Sequence, residues 1–420
     1  MSTSEHYDVI IVGRSVAGLL TAALLSKRRF RVRVFDVEDA HHGPICPLFG
    51  MNTSPIWQKL VEELGLIHTM RTQLRGTRGV GIALDDRRFV LHPERGARGE
   101  ELGECFPDET EGLLRLFEHA AQYGPMLTPL LEGEMEGPPT RFGRKRKWKR
   151  HVEMHQLSAS IPTIEGLPAV VENLFSAVLS LAGHFNVTPN AATPAQWRTF
   201  WHLCHGEQIL EGGQEQLESL LIERIESTGG VYEKRKKVRR LEVRRKKIRG
   251  IQLIGGDVVG ADYYVLANGA RDLENLVDEW PDPERWVHWS RGALQTNPTT
   301  QKAPFVGWKG SDTPSATSHI VNGEYWLSTL SKSPTKPESF IGALWHGENE
   351  SGSYPNVDNG RLDDFGLYHA DYEDPFKNGY FVGDWVIPGL GLEAAGLTAW
   401  QTTQAITDAS SGFFRSGPRR

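Results

Sequence analysis

Cysteine is scarce in this chain of 420 residues: Cys46, Cys105 and Cys204 are far apart and form no C-x-x-C pair. That excludes a disulfide framework and a zinc ribbon, and a reducing compartment, the cytoplasm, fits best. Long apolar runs are also absent. No stretch of about 18 apolar residues is free of charge, so a spanning helix is not expected. The apolar N-terminal stretch does not read as a signal peptide, because Glu5 and Asp8 precede it and Arg14 interrupts it. Positive charge is not in excess either. The formal net charge of -6 argues against a general nucleic-acid binder. His41 and His42 are adjacent rather than at ligand spacing, and no metal site is expected.

What is present is an ordinary soluble composition, 39% hydrophobic and 24% charged, on a length that suits two or three units of about 150 residues. The most informative stretch is Tyr7 to Asp36. Val9 to Val12 is a continuous apolar run, as in a strand buried on both faces. Gly13, Ser15 and Gly18 then fall at the spacing of G-x-G-x-x-G, with serine in the middle place. Leu19 to Lys27 reads as a helix, and Arg31 to Phe35 as a strand ending on Asp36. This is a complete βαβ unit, and an acidic residue about 20 positions past the first glycine is what a dinucleotide site requires. Gly13 would allow the tight turn and Gly18 the close helix–strand contact. The N–H groups at Val16, Ala17 and Gly18 would face the pyrophosphate at the positive end of the helix. Ser15 is small enough for the turn and carries a hydroxyl donor. Asp36 would accept from ribose hydroxyls. The alternative is a structural βαβ unit with no ligand.

Further along, Ile56 to Leu64 has helical periodicity and stops at Gly65. From Thr72 to about Pro107, alternations such as VGIALDD and RRFVLHP predict hairpin strands. Thr110 to Tyr123 reads as a helix, and Leu167 to Phe185 as a buried one. Arg141 to His151, RFGRKRKWKRH, is a dense basic run. It is either a solvated face or a peripheral contact with an anionic membrane. Leu217, Leu220, Leu221 and Ile225 form a helical stripe that Gly229–Gly230 ends. Strands are predicted at Val231–Tyr232, Val238–Val243, Ile248–Leu253 and Asp257–Leu266, the basic stretch among them forming solvent-facing hairpin edges. EYWLSTL and SFIGALWHG suggest a second sheet in a segment holding Trp286, Trp289, Trp308, Trp326 and Trp345. Tyr380 to Val382 is a short strand, and a helix starts at Leu392.

Three segments together resemble the flavin-dependent amine oxidase and phytoene desaturase superfamily, most of all its phytoene desaturase and carotenoid isomerase branch. They are the N-terminal unit, the GGxxxL…L…I…GG…V run at Gly212–Val238 and the FVGDxxxPGxGxxxAG run at Phe381–Gly396. The resemblance implies FAD as cofactor. It implies that the Val238 backbone meets the adenine, and that Gly383–Asp384 closes on the ribityl and phosphate groups. It further implies that Gly389 and Gly391 run against the isoalloxazine edge, with the helix from Leu392 aimed at the flavin. Here the Gly-Gly pair usual after the second strand is replaced by Gly43 alone, and no cysteine near Gly383 supports a covalent link. Lys302 and Lys309 match no motif, so no catalytic residue is assigned.

The expected fold is α/β, a discontinuous Rossmann-like FAD/NAD(P)-binding domain with an inserted mixed-sheet and helical substrate domain. Its cofactor-binding pieces would be 1–75, 205–275 and 375–420, and its substrate-domain pieces 76–204 and 276–374. The expected activity is FAD-dependent oxidation or desaturation of an apolar or amine-bearing small molecule. Only 36 residues follow Asp384, which favours that type over flavin hydroxylases and halogenases. Three alternatives stay open: a flavin monooxygenase, a flavoprotein acting on a side chain of a partner protein, and a flavin-free binding protein like the Rab escort and GDP-dissociation-inhibitor proteins.

Overall fold

The computed structural model describes residues 6–37, 51, 53–76, 79–84, 87–132, 150, 153–154, 161–183, 187–204, 208–210, 213–267, 276, 285–294, 305–309, 316–321, 324–331, 345–356, 361–362, 368–369, 376–383, 386 and 390–414. In chain order the elements that matter begin with β1 (His6–Val12), α1 (Val16–Lys27), β2 (Val32–Val37), α2 (Pro55–Leu64), α3 (Ile67–Gln73), β3 (Leu74–Gly76), β4 (Val80–Leu84) and β5 (Arg87–Leu91). Next come α4 (Arg95–Cys105), α5 (Thr110–Tyr123), α6 (Thr128–Leu131), α7 (Ala169–Gly183), α8 (Pro194–Cys204), β6 (Gln208–Leu210) and α9 (Gly213–Ser227). The rest are β7 (Val231–Arg244), β8 (Lys247–Leu253), β9 (Val258–Leu266), β10 (Arg285–Leu294), β11 (Phe305–Lys309), β12 (Ala316–Val321), β13 (Glu324–Ser331), β14 (Trp345–Asn356), β15 (Arg361–Leu362), β16 (Tyr368–His369), β17 (Gly379–Phe381) and α10 (Leu392–Phe414).

β1 lies between β2 and β9, parallel to both. The first half of β7 extends the sheet beyond β2, and β17 extends it beyond β9, again in parallel. The parallel order is therefore β7–β2–β1–β9–β17. The second half of β7 turns away to pair antiparallel with β8, which pairs with the start of β9. This meander covers one face of the parallel sheet. Ile10, Val12, Phe35 and Tyr264 from the sheet pack with Leu241, Ile248 and Ile251 from the meander. The alternate residues Val9, Ile11, Val32 and Val34 pack with the helices on the other face. β1 is apolar from Val9 to Val12, where both of its faces are covered, while His6 to Asp8 lie nearer the solvent.

α1 is buried from Val16 through Ser26, a helix with almost no solvent face, packed between the sheet, α9 and α10. α2 is amphipathic instead, burying Ile56, Trp57, Leu60 and Leu64, and ends at Gly65 in the left-handed region (φ 70°). The second sheet runs β14–β10–β13–β12–β11–β4–β5. Its pairings are antiparallel except β4 with β11, so the sheet is mixed. A helical core of Phe175, Trp197, Phe200 and Leu116 lies with Val80, Ile82 and Phe89 of this sheet.

Three local expectations are revised, and one helix, α8, was not expected. α1 starts at Val16, three residues earlier than its apolar run suggested, because Ser15 caps it. The hairpin reading ends at Leu91, and Arg95–Cys105 is a helix rather than strand. Its inward positions are Arg98 and Leu102, so a buried arginine hides its apolar period. Val231–Tyr232 and Val238–Val243 belong to one strand, irregular where Phe35 pairs Glu233 and Asp36 pairs Lys237. α8 carries little periodicity but a readable start: Gln196 Oε1 accepts from Thr193 N–H at 2.9 Å and Thr193 Oγ1 from Gln196 N–H at 3.3 Å. That is a capping box with Pro194 at the first helical position. The basic run 141–151 lies outside the described residues except Arg150. Of SFIGALWHG only Trp345–Gly347 is described, and the tryptophan side chains of 286–345 are not.

Candidate dinucleotide site

Gly13 and Gly383 follow the C-terminal ends of β1 and β17, with β9 between them. Ala267 N–H donates to Val12 O (2.8 Å) and Val382 N–H to Leu266 O (3.1 Å). The chain leaves β1 toward β2 on one side and returns through β9 on the other, so this edge is a topological switch point, where open α/β sheets hold ligands.

Gly13 has φ 102°, a left-handed value that its lack of a side chain permits, and its N–H donates to Phe35 O at 2.7 Å. Ser15 has φ -58° and ψ 156°, open to any residue, and its Oγ accepts from Gly18 N–H at 3.3 Å. The serine thus serves as the helix cap and leaves its hydroxyl hydrogen to donate outward. A Cβ at Gly18 would stand 2.4 Å from the Cβ of Ala267 and 3.3 Å from Gly13 O. The third glycine is therefore required by the crossing of α1 over β9. The first-turn N–H groups of Val16 and Ala17 have no carbonyl one turn back to bond, as at any helix start.

Asp36 is 8% exposed at the end of β2, and its Oδ1 has no hydrogen-bond partner among the described residues. Tyr232 donates to its Oδ2 at 3.4 Å. Burial pushes the carboxyl above its usual range, opposed only in part by Arg14, Tyr232 and Lys237. Arg14 Nε lies 4.0 Å from Glu218 Oε2. Glu218 Oε1 accepts from Gln214 at 2.7 Å, and burial raises that carboxyl too. Arg14, Glu218 and Tyr232 were not among the sequence candidates. Tyr232 reaches Asp36 through the parallel register of β2 with β7, while Arg14 comes from the turn after β1 with Glu218 of α9 beside it. In the chain without ligand, ionised Asp36 opposes folding as pH rises through its raised folded-state value. Asp36→Asn is therefore expected to raise thermal stability at neutral pH. It should weaken dinucleotide binding about 10- to 100-fold, the value of hydrogen bonds to a charged acceptor, read by calorimetry against the wild type.

Val238 is fully buried where β7 leaves β2 (Val37) and takes up β8 (Leu253). Gly383 has φ 147°, and its N–H donates to Thr398 Oγ1 at 3.1 Å, tying β17 to α10. Gly391 has φ 49°, and its carbonyl accepts from Ala394 N–H at 3.0 Å as α10 begins. Leu392 O accepts from Trp57 Nε1 at 2.8 Å. Asp384 and Gly389 lie outside the described residues.

Beside that turn is a network that no sequence motif announced. Glu393, in the first turn of α10, receives Arg198 Nε at 2.6 Å and Nη2 at 2.9 Å. Arg198 also donates to Thr128 Oγ1 at 3.1 Å. His202 Nε2 is 3.5 Å from Glu393 Oε1, and its Nδ1 is 3.1 Å from Thr53 Oγ1. Burial alone would raise the Glu393 carboxyl, but Arg198 and His202 outweigh it and hold it well below the usual carboxylate range. Among the described residues no cluster of His, Cys, Asp and Glu could hold a metal ion, and no helix is long and apolar enough to cross a membrane.

No protein-family model and no curated protein matches this chain. Solved structures do. A Rab GDI from Plasmodium falciparum aligns over 95% of this chain and 97% of its own, at 11% identity and a TM-score of 0.57. A myxobacterial chondrochloren halogenase, CndH, described as a variant of FAD-dependent halogenases, aligns over 97% and 76% at 10% identity and 0.53. An oxidoreductase from Methanosarcina mazei aligns over 94% and 100% at 13% and 0.50. The chain thus has the fold shared by these proteins. The expected α/β class, a Rossmann-like sheet with a second mixed sheet and helices, is the observed one.

Proposed function

We propose that this protein is an FAD-dependent oxidoreductase of the oxidase or desaturase type, taking a hydride from an apolar or amine-bearing small molecule. The observation that carries this reading is Asp36. A buried carboxylate oxygen without a partner among the described residues, at the end of the second strand and near the open first turn of α1, fits a ribose hydroxyl and disfavours an empty site. Ser15 and the first-turn N–H groups suit a pyrophosphate, and Arg14 adds a cation there. Residues 1–75, 205–275 and 375–420 would form the cofactor-binding domain, and 76–204 with 276–374 the substrate domain.

FAD when bound supplies two-electron redox chemistry, and the protein's part is to position substrate and tune the ring. Gly391 and Leu392 begin the helix that would point its positive end at the flavin. Glu393, held by Arg198, fixes the direction of that first turn. The phytoene desaturase-like assignment within this class rests on the Phe381–Gly396 motif. It also belongs to the proposal that reoxidation falls to oxygen, a quinone or another acceptor, since the sequence lacks a second G-x-G-x-x-G.

The likeness to a Rab GDI over nearly the whole of both chains favours a second reading, a flavin-free binding protein with a protein partner. One experiment separates the two. The purified chain is reconstituted with FAD, passed through gel filtration and scanned in the visible. Retained flavin absorption, bleached anaerobically by an apolar or amine substrate without NADPH, is the expected result. Bleaching only after NADPH would move the protein to the monooxygenases. A chain that emerges colourless would sink the flavoenzyme reading.

A further inference from the structure

Away from the dinucleotide site, charge is most concentrated on the β7–β8 hairpin. Lys234 to Arg249 reads KRKKVRRLEVRRKKIR, with Glu242 its one acidic residue, in a chain of net charge -6. Val238, Leu241, Ile248 and Ile251 anchor the hairpin to the sheet below. Arg239, Arg240, Arg244, Lys247 and Arg249 are exposed. Among the described residues none of these five has a carboxylate within ion-pair distance.

The backbone favours this display. The register slips once between Val238 and Arg240 and once between Glu242 and Val243. The residues left over are Arg239 on β7 and Arg249 on β8, each freed from pairing as in a bulge. The two-residue tip is Arg245–Lys246, with φ 53° and 58°. Asn-Gly adopts that turn with less strain, so two long cations stand where local stability would select other residues. Strain of this kind gathers at functional positions. Three aliphatic side chains on the same meander are also exposed, Val243 at 43%, Ile254 at 49% and Val258 at 44%.

We propose that the exposed side of the β7–β8–β9 meander docks on an anionic lipid surface. Basic side chains mixed with exposed aliphatics suit a charged headgroup layer above an apolar one. A long polyanion fits less well, because the chain as a whole is acidic and the exposed meander residues named above include no aromatic on which bases could stack. A bilayer meets one face only, and charge elsewhere is screened beyond about 8 Å at physiological salt. Docking here is independent of whether a flavin is bound.

The test is sedimentation of the full-length chain with vesicles of phosphatidylcholine alone or mixed with phosphatidylglycerol. Binding is expected to the mixed vesicles only, and high salt should release it. Each basic residue removed should weaken partition about fivefold. Arg245→Asn with Lys246→Gly gives the turn its preferred residues, so it should keep or raise thermal stability while binding falls about 25-fold. Adding Arg239→Gln and Arg240→Gln should bring the loss to several hundred-fold. Val243→Ser with Ile254→Ser and Val258→Ser should remove whatever binding survives moderate salt. No binding to mixed vesicles, or equal binding to both kinds, would overturn the proposal. So would folded hairpin variants that bind like the wild type, which would put the contact elsewhere, or tighter binding to heparin at equal salt. Variants that self-associate yet still bind lipid would mean the charges only protect an edge strand.

Discussion

Gly18→Ala is expected to lose flavin binding and to lower the unfolding free energy by about 1–3 kcal/mol, the range for overpacking a filled core. The added methyl meets the Ala267 Cβ at 2.4 Å, and neither partner can rotate away because both are methyls fixed to backbone. α1 must then lift from the end of β9, and its first turn moves with it. Since that turn would hold the pyrophosphate, affinity falls with stability. The double variant Gly18→Ala/Ala267→Gly returns the missing space, leaving contacts of 3.3 Å to Gly13 O and 3.4 Å to Ile11. It should recover most of both losses. Flavin titration and urea melts of the three proteins check this. A single variant that binds and melts like the wild type would mean that α1 does not cross β9 as described.

Arg198→Met should be the most destabilising of the substitutions considered, by about 3–5 kcal/mol, because it leaves the Glu393 carboxylate buried with only His202 beside it. Arg198 is 1% exposed and its side-chain partner Glu393 4%, so solvent can replace little of the lost interaction. The pH dependence is a sharper readout than the size of the loss. In the wild type the Glu393 carboxyl sits below its usual value, so its contribution is complete above about pH 4.3 and is lost as pH falls below that. Without Arg198 only His202 opposes the burial, so the carboxyl moves up from its wild-type position. Stability of the variant should then improve, relative to wild type, as the pH drops and Glu393 takes up a proton. Arg198→Met/Glu393→Gln should restore part of the loss at neutral pH. Urea midpoints between pH 4 and 8 would show it. A deficit constant across that range would mean that Glu393 is not ionised beside Arg198.

The N-terminal unit was legible because its signals are local. An apolar run buried on both faces, a turn that needs glycine and an acidic strand end all fall within one βαβ stretch. The same holds for α2 with its Gly65 stop and α9 with its Leu217–Ile225 stripe. Reading failed where a residue's role depended on a distant partner. Arg98 occupies a core position of α4 because the carbonyls of His92, Pro93 and Cys204 accept from it, and a period of apolar residues cannot register an arginine used that way. α8 went unread, since its start is marked by the Thr193–Gln196 capping box, a signal that periodicity does not weigh.

The sequence by itself determined the Rossmann-like class and the local geometry of its first turn, with Gly13 at the turn, Ser15 as the cap, Gly18 at the helix–strand contact and Asp36 at the strand end. Only the tertiary structure decided that Arg14, Glu218 and Tyr232 surround Asp36, and that Arg198 and His202 close on Glu393. The reason is the range of the forces involved. Backbone geometry and side-chain period act over a few neighbouring residues and leave a pattern in the text of the chain. A buried ion pair between residues 198 and 393 is set by how a helix of one core and a helix of another are brought together, and no local spacing records it.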